Sequence, residues 1–579
     1  VRGVSYVDLF AKFQKPLGEM DPTARVGAVT KWNERRPVMA VSAGPVHALS
    51  SFVWHNTSTD NARAGAVGRF FRKTTPIVGP ELIKFMKFVR RWVTRLPRAD
   101  PLSDVSVETW LAGTSYTEKR KQEIRDAVHS HMDDEGFLAA ALSASANGHR
   151  HIRGFQKLES VVQTAIPRGI YPRADYHKAI DGPYSKIIEK TFFEWARPWT
   201  VKYVPVTERG KFLADKFKGY SRFACTDYSR FEGSFRPVII WACERVIYQH
   251  ILGDVLGAAW WLKEFDETVL GRNIVHWNAF EGSVMGKRAS GEMFTSLGNC
   301  VTNMLLTFYD MEECGVEDIP CCFEGDDGLI GVDPLRYVPT GERARNLGFE
   351  LKIDFVDTWG EASFCGNVCD EDELIVVTDP VKVLLSTGWV SRDLLGARKA
   401  RMMAALRAKA LSLYYQYNGM PVATEFALYL LRVTRGHDIA TYIKSNALNV
   451  YQRERFENIM RELGIGTSFG NDRLPPRRHC GDRTRMLVER RYGLSIEGQL
   501  SLESQFKTRQ GLTPFSNPWL DQLVPPELRV FHELYVDIYD GTNFDKPNWL
   551  VIRDPDLDKR EQNEVVLNLD HPRWLGVVT

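Results

Sequence analysis

Apolar positions recur at helical spacing from Glu81 to Leu96, and Tyr116 to Val128 predicts a charged helix with Thr117 placed to cap it. Between Ile166 and Arg173, two prolines and a glycine forbid a helix and force an extended, bent path. Arg222 to Thr226 is a short apolar run ending on Asp227, which predicts a buried strand with a carboxylate at its C-terminal end. An amphipathic helix is expected behind it, from Val238 to Leu252. Helical periodicity returns from Glu292 to Phe308, with Phe294, Leu297, Val301 and Leu305 on one face and Thr295, Asn299 and Asn303 stepping by four along another. Pro320 to Val332 is apolar, then Glu324-Gly325-Asp326-Asp327-Gly328, then apolar again, which predicts a β-hairpin. Beyond about residue 375 helices dominate, Ala400 to Tyr415 and Val422 to Thr434 being the clearest.

At 579 residues the chain is too long for one small core and divides into several subdomains. Hydrophobic content of 44% and charged content of 26% are those of a soluble globular protein. A net charge of +2 means that any nucleic-acid surface is a local basic patch, for which Lys84 to Arg91 and His149 to Lys202 are candidates. Nine scattered cysteines suit buried, reduced thiols; Cys365 and Cys369 have no second pair at metal-ligand spacing. No run approaches the roughly 18 apolar residues of a membrane span, and no signal peptide is expected. Because the chain opens on Val1 and not Met, a processed or trimmed start is expected, with membrane association only through an upstream segment or a partner.

Three segments carry candidate chemistry: Cys225 to Glu232, Arg288 to Asn299, and Phe323 to Gly328. Template-directed phosphoryl transfer needs carboxylates from separate strands to hold two metal ions roughly 3.5–4 Å apart, and a polar group to inspect the ribose. Asp227 and the Asp326-Asp327 pair can supply the first, with Asp326 as principal ligand and Asp327 as the weaker second. The uncharged stripe of Thr295, Asn299 and Asn303 suits sugar hydroxyls. Singly, each segment has a plainer explanation. Gly325 to Gly328 is a favoured turn sequence, and Ser290 is a helix cap as readily as a substrate contact. The ordered combination reverses those odds.

The set resembles the RNA-dependent RNA polymerases of positive-strand RNA viruses, closest to the tombusvirus-like and nodavirus-like group. The resemblance covers residues from about 110 to 425. It implies a mixed α/β right-hand fold of fingers, palm and thumb, with an antiparallel palm sheet backed by helices. The expected divisions are an N-terminal extension over 1–75 packing on fingers and thumb, fingers over 76–222, palm over 223–244, a fingers insertion over 245–285, palm over 286–375, and thumb with a C-terminal extension over 376–579. Asp227 and Glu232 fall on the first palm motif, where the family usually has a second Asp in place of Glu232. Ser290, Gly291, Thr295 and Asn299 fall on the second, and Asp326 and Asp327 on the third.

By the same resemblance, Lys157, Arg168 and Arg173 would bind the triphosphate, where arginine offers paired donors to phosphate oxygens. Lys352 would protonate the leaving pyrophosphate, although a strand-edge lysine explains it equally. Phe364, Cys365 and Gly366 would grip the nascent strand with Ser290 and Gly291, and Gly113 would lie at template entry. Mg²⁺, with Mn²⁺ as a substitute, is the implied cofactor. NTPs, template and product RNA are the implied partners, with other viral replication proteins, in a replication complex of the host cytoplasm or in a particle. Trp519, Tyr535 and Trp549 are candidates for a platform that stacks a first nucleotide, though isolated aromatics are more often core. The alternatives are a catalytically silent, polymerase-shaped RNA-binding subunit, and another metal-dependent nuclease or nucleotidyltransferase.

Overall fold

The apolar run ending at Asp227 forms the strand Phe223–Tyr228, an inner member of a four-stranded antiparallel sheet in the computed structural model. The structure describes residues 18–28, 38–44, 46–49, 59–130, 151–157, 166–391, 397–443, 450–462, 474–526, 528–529, 532, 536–539 and 549–553. Across this sheet the order is Leu351–Val356, Phe223–Tyr228, Asp327–Gly331, Cys321–Glu324. The last two strands are the expected hairpin. Successive strand residues face opposite sides, so the sheet feeds two cores. On one side Ala224, Tyr228, Phe323 and Ile330 join Leu297, Val301, Met304 and Leu305 of the helix Thr295–Glu313. On the other, Phe223, Cys225 and Leu329 join Phe217, Trp359 and Phe364.

The chain is therefore a mixed α/β fold of open antiparallel sheets backed by helices. A second sheet runs Arg25–Val26, Glu281–Met285, Arg272–His276, His151–Arg153, with only the last pair parallel. A third combines Trp389–Ser391, Val38–Ser42, Trp549–Arg553 and Val536–Tyr539. The stretch before residue 50 thus adds a strand to each of two sheets far apart in sequence. The helices Lys399–Gln416, Ala423–Val433 and Ile496–Thr508 build a separate apolar cluster.

Several local expectations match closely. Thr117 caps Glu118–His129 by accepting from the Arg120 amide, and the first predicted helix is Gly79–Trp92. The expected helix over 238–252 is present, but a π-helical turn interrupts it at Trp241–Arg245. A long helix, Asp175–Trp195, contains Pro183 in its interior and was not predicted. Among the described residues no helix is long and apolar enough to cross a membrane, and all nine cysteines are free.

One buried charge ties the N-terminal stretch to the central motifs. Lys287 is 1% exposed, donates to the Gly233 carbonyl at 2.9 Å and pairs with Asp21 at 3.3 Å. Burial outweighs Asp21 and lowers the lysine pKa to about 8. Between that value and the ordinary 10.5, the unfolded chain holds the proton that the folded chain has released, so stability rises with pH there. Wild type is expected to gain stability relative to Lys287→Met as pH rises from 8 toward 10.5, measured by urea unfolding of both chains at each pH.

Candidate active site

The strand register brings the acidic residues to one end of the central sheet. Gly328 pairs with Thr226, so one step further along the same register Asp327 stands across from Asp227. Close approach explains Gly328, because a Cβ there would lie 2.3 Å from Thr226 Oγ1. Asp326 occupies the hairpin tip, next to Gly325 at φ +61°. That left-handed conformation is what a glycine admits without steric cost.

These carboxylates feel one another. Burial, then Glu232, then Asp227 push the Asp326 carboxyl up to about 6, with Arg168 opposing. Burial, then Asp326 and Asp227, push Asp327 up to about 7. Asp227 is raised mainly by desolvation, against the pull of Lys352. Lys352 is its register partner on the adjoining strand, with Nζ 3.8 Å from Oδ2 and both side chains more than half exposed. The result is a set of partly buried carboxylates at one sheet end, each made harder to ionise by burial and by its neighbours.

Beside it lies a cleft whose lining includes Arg69, Arg168, Arg230, Glu232 and Ser290. Three expected residues therefore share one wall: Arg168, Glu232 and Ser290. Arg168 closes a short hairpin in which Phe155–Gln156 pairs with Gly169–Ile170 and the Lys157 amide donates to the Arg168 carbonyl at 2.8 Å. Leu158 and Glu159 lie outside the described residues. The Ser290 carbonyl accepts from the Tyr171 amide at 2.7 Å, which docks this hairpin onto the Ser290-Gly291 loop. Gly291 is required by its φ of +111° and by Ile170, whose Cγ2 would lie 3.1 Å from an added Cβ.

A model of the family described as viral RNA dependent RNA polymerase matches residues 28–438 of the chain. The chain belongs to that family. Three curated relatives are each described as an RNA-directed RNA polymerase. That of Groundnut rosette virus (strain MC1) is 26% identical over 32% of this chain and 23% of its own length. That of Panicum mosaic virus (strain United States/Kansas 109S) is 25% identical over 60% of this chain and 35% of its own. That of Maize chlorotic mottle virus (isolate United States/Kansas/1987) is 24% identical over 66% of this chain and 41% of its own. The chain thus spans well under half the length of the polymerases it matches.

Within this viral polymerase family member, some expected residues are used differently. Arg173 is 4% exposed and turned inward, with its guanidinium on Glu292 at 2.6 Å, Asn273 at 2.7 Å and the Thr268 carbonyl at 3.1 Å. It braces the hairpin base and does not face the cleft. Ser290 is not a helix cap, since the helix begins at Thr295 after Phe294. Thr295 spends its hydroxyl on the Ala289 and Glu292 carbonyls at 2.9 and 3.1 Å, fixing the loop that holds Ser290. Of the polar stripe, Asn299 and Asn303 each keep a buried Oδ1 with no protein donor; that of Asn299 is an acceptor suited to a hydroxyl, although Asn299 is not among the cleft-lining side chains.

Phe364 and Asn367 close a tight turn in which Cys365 (φ +54°) and Gly366 (φ +72°) are both left-handed. Phe364 is anchored in the core, and Tyr417 of the helical region donates to Asn367 at 3.2 Å. The Asp327 charge reaches Cys365, so this turn borders the acidic cluster. Gly113 is exposed at the C-terminal end of the helix Val107–Ala112, bonded to its own helix. Trp519 packs partly buried against the helical cluster, which favours a core role; Tyr535 and the side chain of Trp549 lie outside the described residues. Sequence reasoning missed Arg69 and Arg230. Arg230 had one visible signal, its place inside the Asp227-to-Glu232 segment.

Proposed function

We propose that the chain is an RNA-templated RNA polymerase that joins NTPs to an RNA 3′-hydroxyl, of the tombusvirus-like and nodavirus-like kind, with its central sheet as the palm. The observation that supports this is the register that sets Asp327 across from Asp227, with Asp326 on the adjoining hairpin tip, beside a cleft walled by Arg168, Glu232 and Ser290. Residues around Arg168 would belong to the fingers, and the helices after residue 399 to the thumb.

The donor set fits divalent magnesium. Among the described residues no group of three or more His, Cys, Asp or Glu side chains is placed to hold a metal ion. Mg²⁺ generally takes one or two carboxylates and completes its shell with water and substrate phosphate. Asp227 and Asp326 would hold the ions, with Asp327 behind them; Mn²⁺ is the natural substitute. Bound there, the ions would lower the pKa of the attacking hydroxyl and stabilise the leaving pyrophosphate.

The chain's own groups do the rest. Arg168 would engage the triphosphate, with Lys157 on the same hairpin. Lys352 would hold a proton beside Asp227, available to the departing phosphate. Glu232 and Ser290, with Asn299, would read the ribose. The Phe364–Asn367 turn would support the growing strand.

Extension of a primed RNA template with NTPs against dNTPs tests this reading, and unprimed reactions alongside read the mode of initiation. Incorporation of NTPs with product lengthening is expected. Shortened product, or RNA binding without incorporation, would contradict it. Glu232→Ala is expected to narrow the preference for NTPs over dNTPs by about 10- to 100-fold, the worth of one hydrogen bond to a charged group. An unchanged ratio would remove Glu232 from ribose selection.

A further inference from the structure

The tip of the acidic hairpin is held from outside the hairpin. Its last rung pairs Asp327 with Glu324, leaving Gly325 and Asp326 beyond the ladder. An added Cβ at Gly325 would touch nothing within 4 Å, so packing does not immobilise the tip at that point. The carboxylates of Asp326 and Asp327 repel each other across it. A loop in this situation drifts unless something fixes its backbone.

Asn303 does so. Its side chain is fully buried, and Nδ2 donates to the carbonyls of Gly325 at 3.2 Å and Asp327 at 3.1 Å, on either side of Asp326. The amide orientation follows from its partners, since two carbonyls accept and cannot donate. The arrangement leaves Asn303 Oδ1 buried without a donor. Leucine has the same branching of heavy atoms and no polar group to strand, so packing alone does not account for an amide at this position. Asn303 also lies on the helix Thr295–Glu313, in line with Asn299 and Thr295, one and two turns away. The helix that fixes the Ser290 loop at its start therefore fixes the acidic turn about 12 Å further along, at 1.5 Å per residue.

We propose that Asn303 is a positioning residue that sets the Asp326 carboxylate by clamping the backbone on both sides of it. The inference rests on the polymerase reading. Its test is rapid-quench incorporation of a single nucleotide on a primed RNA template by wild type, Asn303→Leu, Asn303→Ala and Asp326→Ala, with a thermal melt of each. The burst amplitude counts competent molecules, and the burst rate constant reads the geometry of those molecules. Asn303→Leu is expected to keep the wild-type amplitude and nucleotide dependence while its rate constant falls about 10- to 100-fold, as a misplacement near 1 Å would cause.

A lower amplitude at the wild-type rate constant would overturn the proposal, because that marks a merely structural role. Loss of the melting transition in both Asn303 variants would overturn it equally. Should wild type incorporate and Asp326→Ala fail while Asn303→Leu runs at the wild-type rate, the clamp falls and the polymerase reading stands. Should wild type itself incorporate nothing, both fall.

Discussion

Asp326→Ala is expected to reduce templated nucleotide incorporation by about 10⁴-fold, the scale seen when one member of a catalytic unit is removed. RNA binding should be nearly unchanged, because the basic cleft and the Phe364–Asn367 turn remain in place. The two effects part because Asp326 faces other carboxylates and sits at a hairpin tip whose backbone is held independently by Asn303. On the proposed reading, losing its side chain would remove oxygen ligands without removing the scaffold. Primer extension and filter binding on the same preparation read both quantities. Extension at the wild-type rate would dismiss Asp326 as a metal ligand, and joint loss of binding and extension would mean that the substitution damages the fold.

The largest stability effect is expected at the pair Arg288–Glu244. Both side chains are fully buried, and the guanidinium contacts the Glu244 carboxylate while lying over the Phe235 ring at 4.8 Å. Tyr248 donates to the same carboxylate at 3.1 Å. Gly298 makes room for the pair, since a Cβ there would lie 2.2 Å from Glu244 Oε2. Removing one partner strands the other charge in the core, which costs about 3–5 kcal/mol. Arg288→Met alone should lose about that much on urea unfolding, whereas Arg288→Met with Glu244→Leu should recover most of it. A double variant as unstable as the sum of its single changes would show that the two charges are not coupled.

That pair also marks where sequence legibility ends. The strand ending on Asp227, the hairpin around Asp326 and the helix after Ser290 were legible because each is a short-range pattern: an apolar run, a turn sequence, a 3.6-residue period. The helix over 238–252 was legible too, but not the π-helical turn that contains Glu244. The charged partner that balances a carboxylate there, Arg288, is tertiary. The helix Asp175–Trp195 was missed for a related reason. Pro183 argues against a helix locally, and close packing of the adjoining Gly182 on Trp110 is not visible in sequence.

The site divides in the same way. Residue types suited to phosphate and sugar were recognisable, but which of them face the cleft depends on who else competes for them. Glu292 takes Arg173, the loop carbonyls take Thr295, and the acidic turn takes Asn303. Arg168 and Glu232 line the cleft. Conversely, Arg69 lies almost a hundred residues before Arg168 and joins the cleft through its bond to the Ile166 carbonyl at 3.0 Å. No spacing rule predicts that contact.

The most direct test of the account is the anomalous signal of Mn²⁺ in crystals grown with primed RNA and an unreactive NTP analogue. Two peaks roughly 3.5–4 Å apart, bridged by Asp227 and Asp326, are the predicted result. Manganese bound elsewhere, or no peak at either carboxylate with the nucleotide in place, would contradict it.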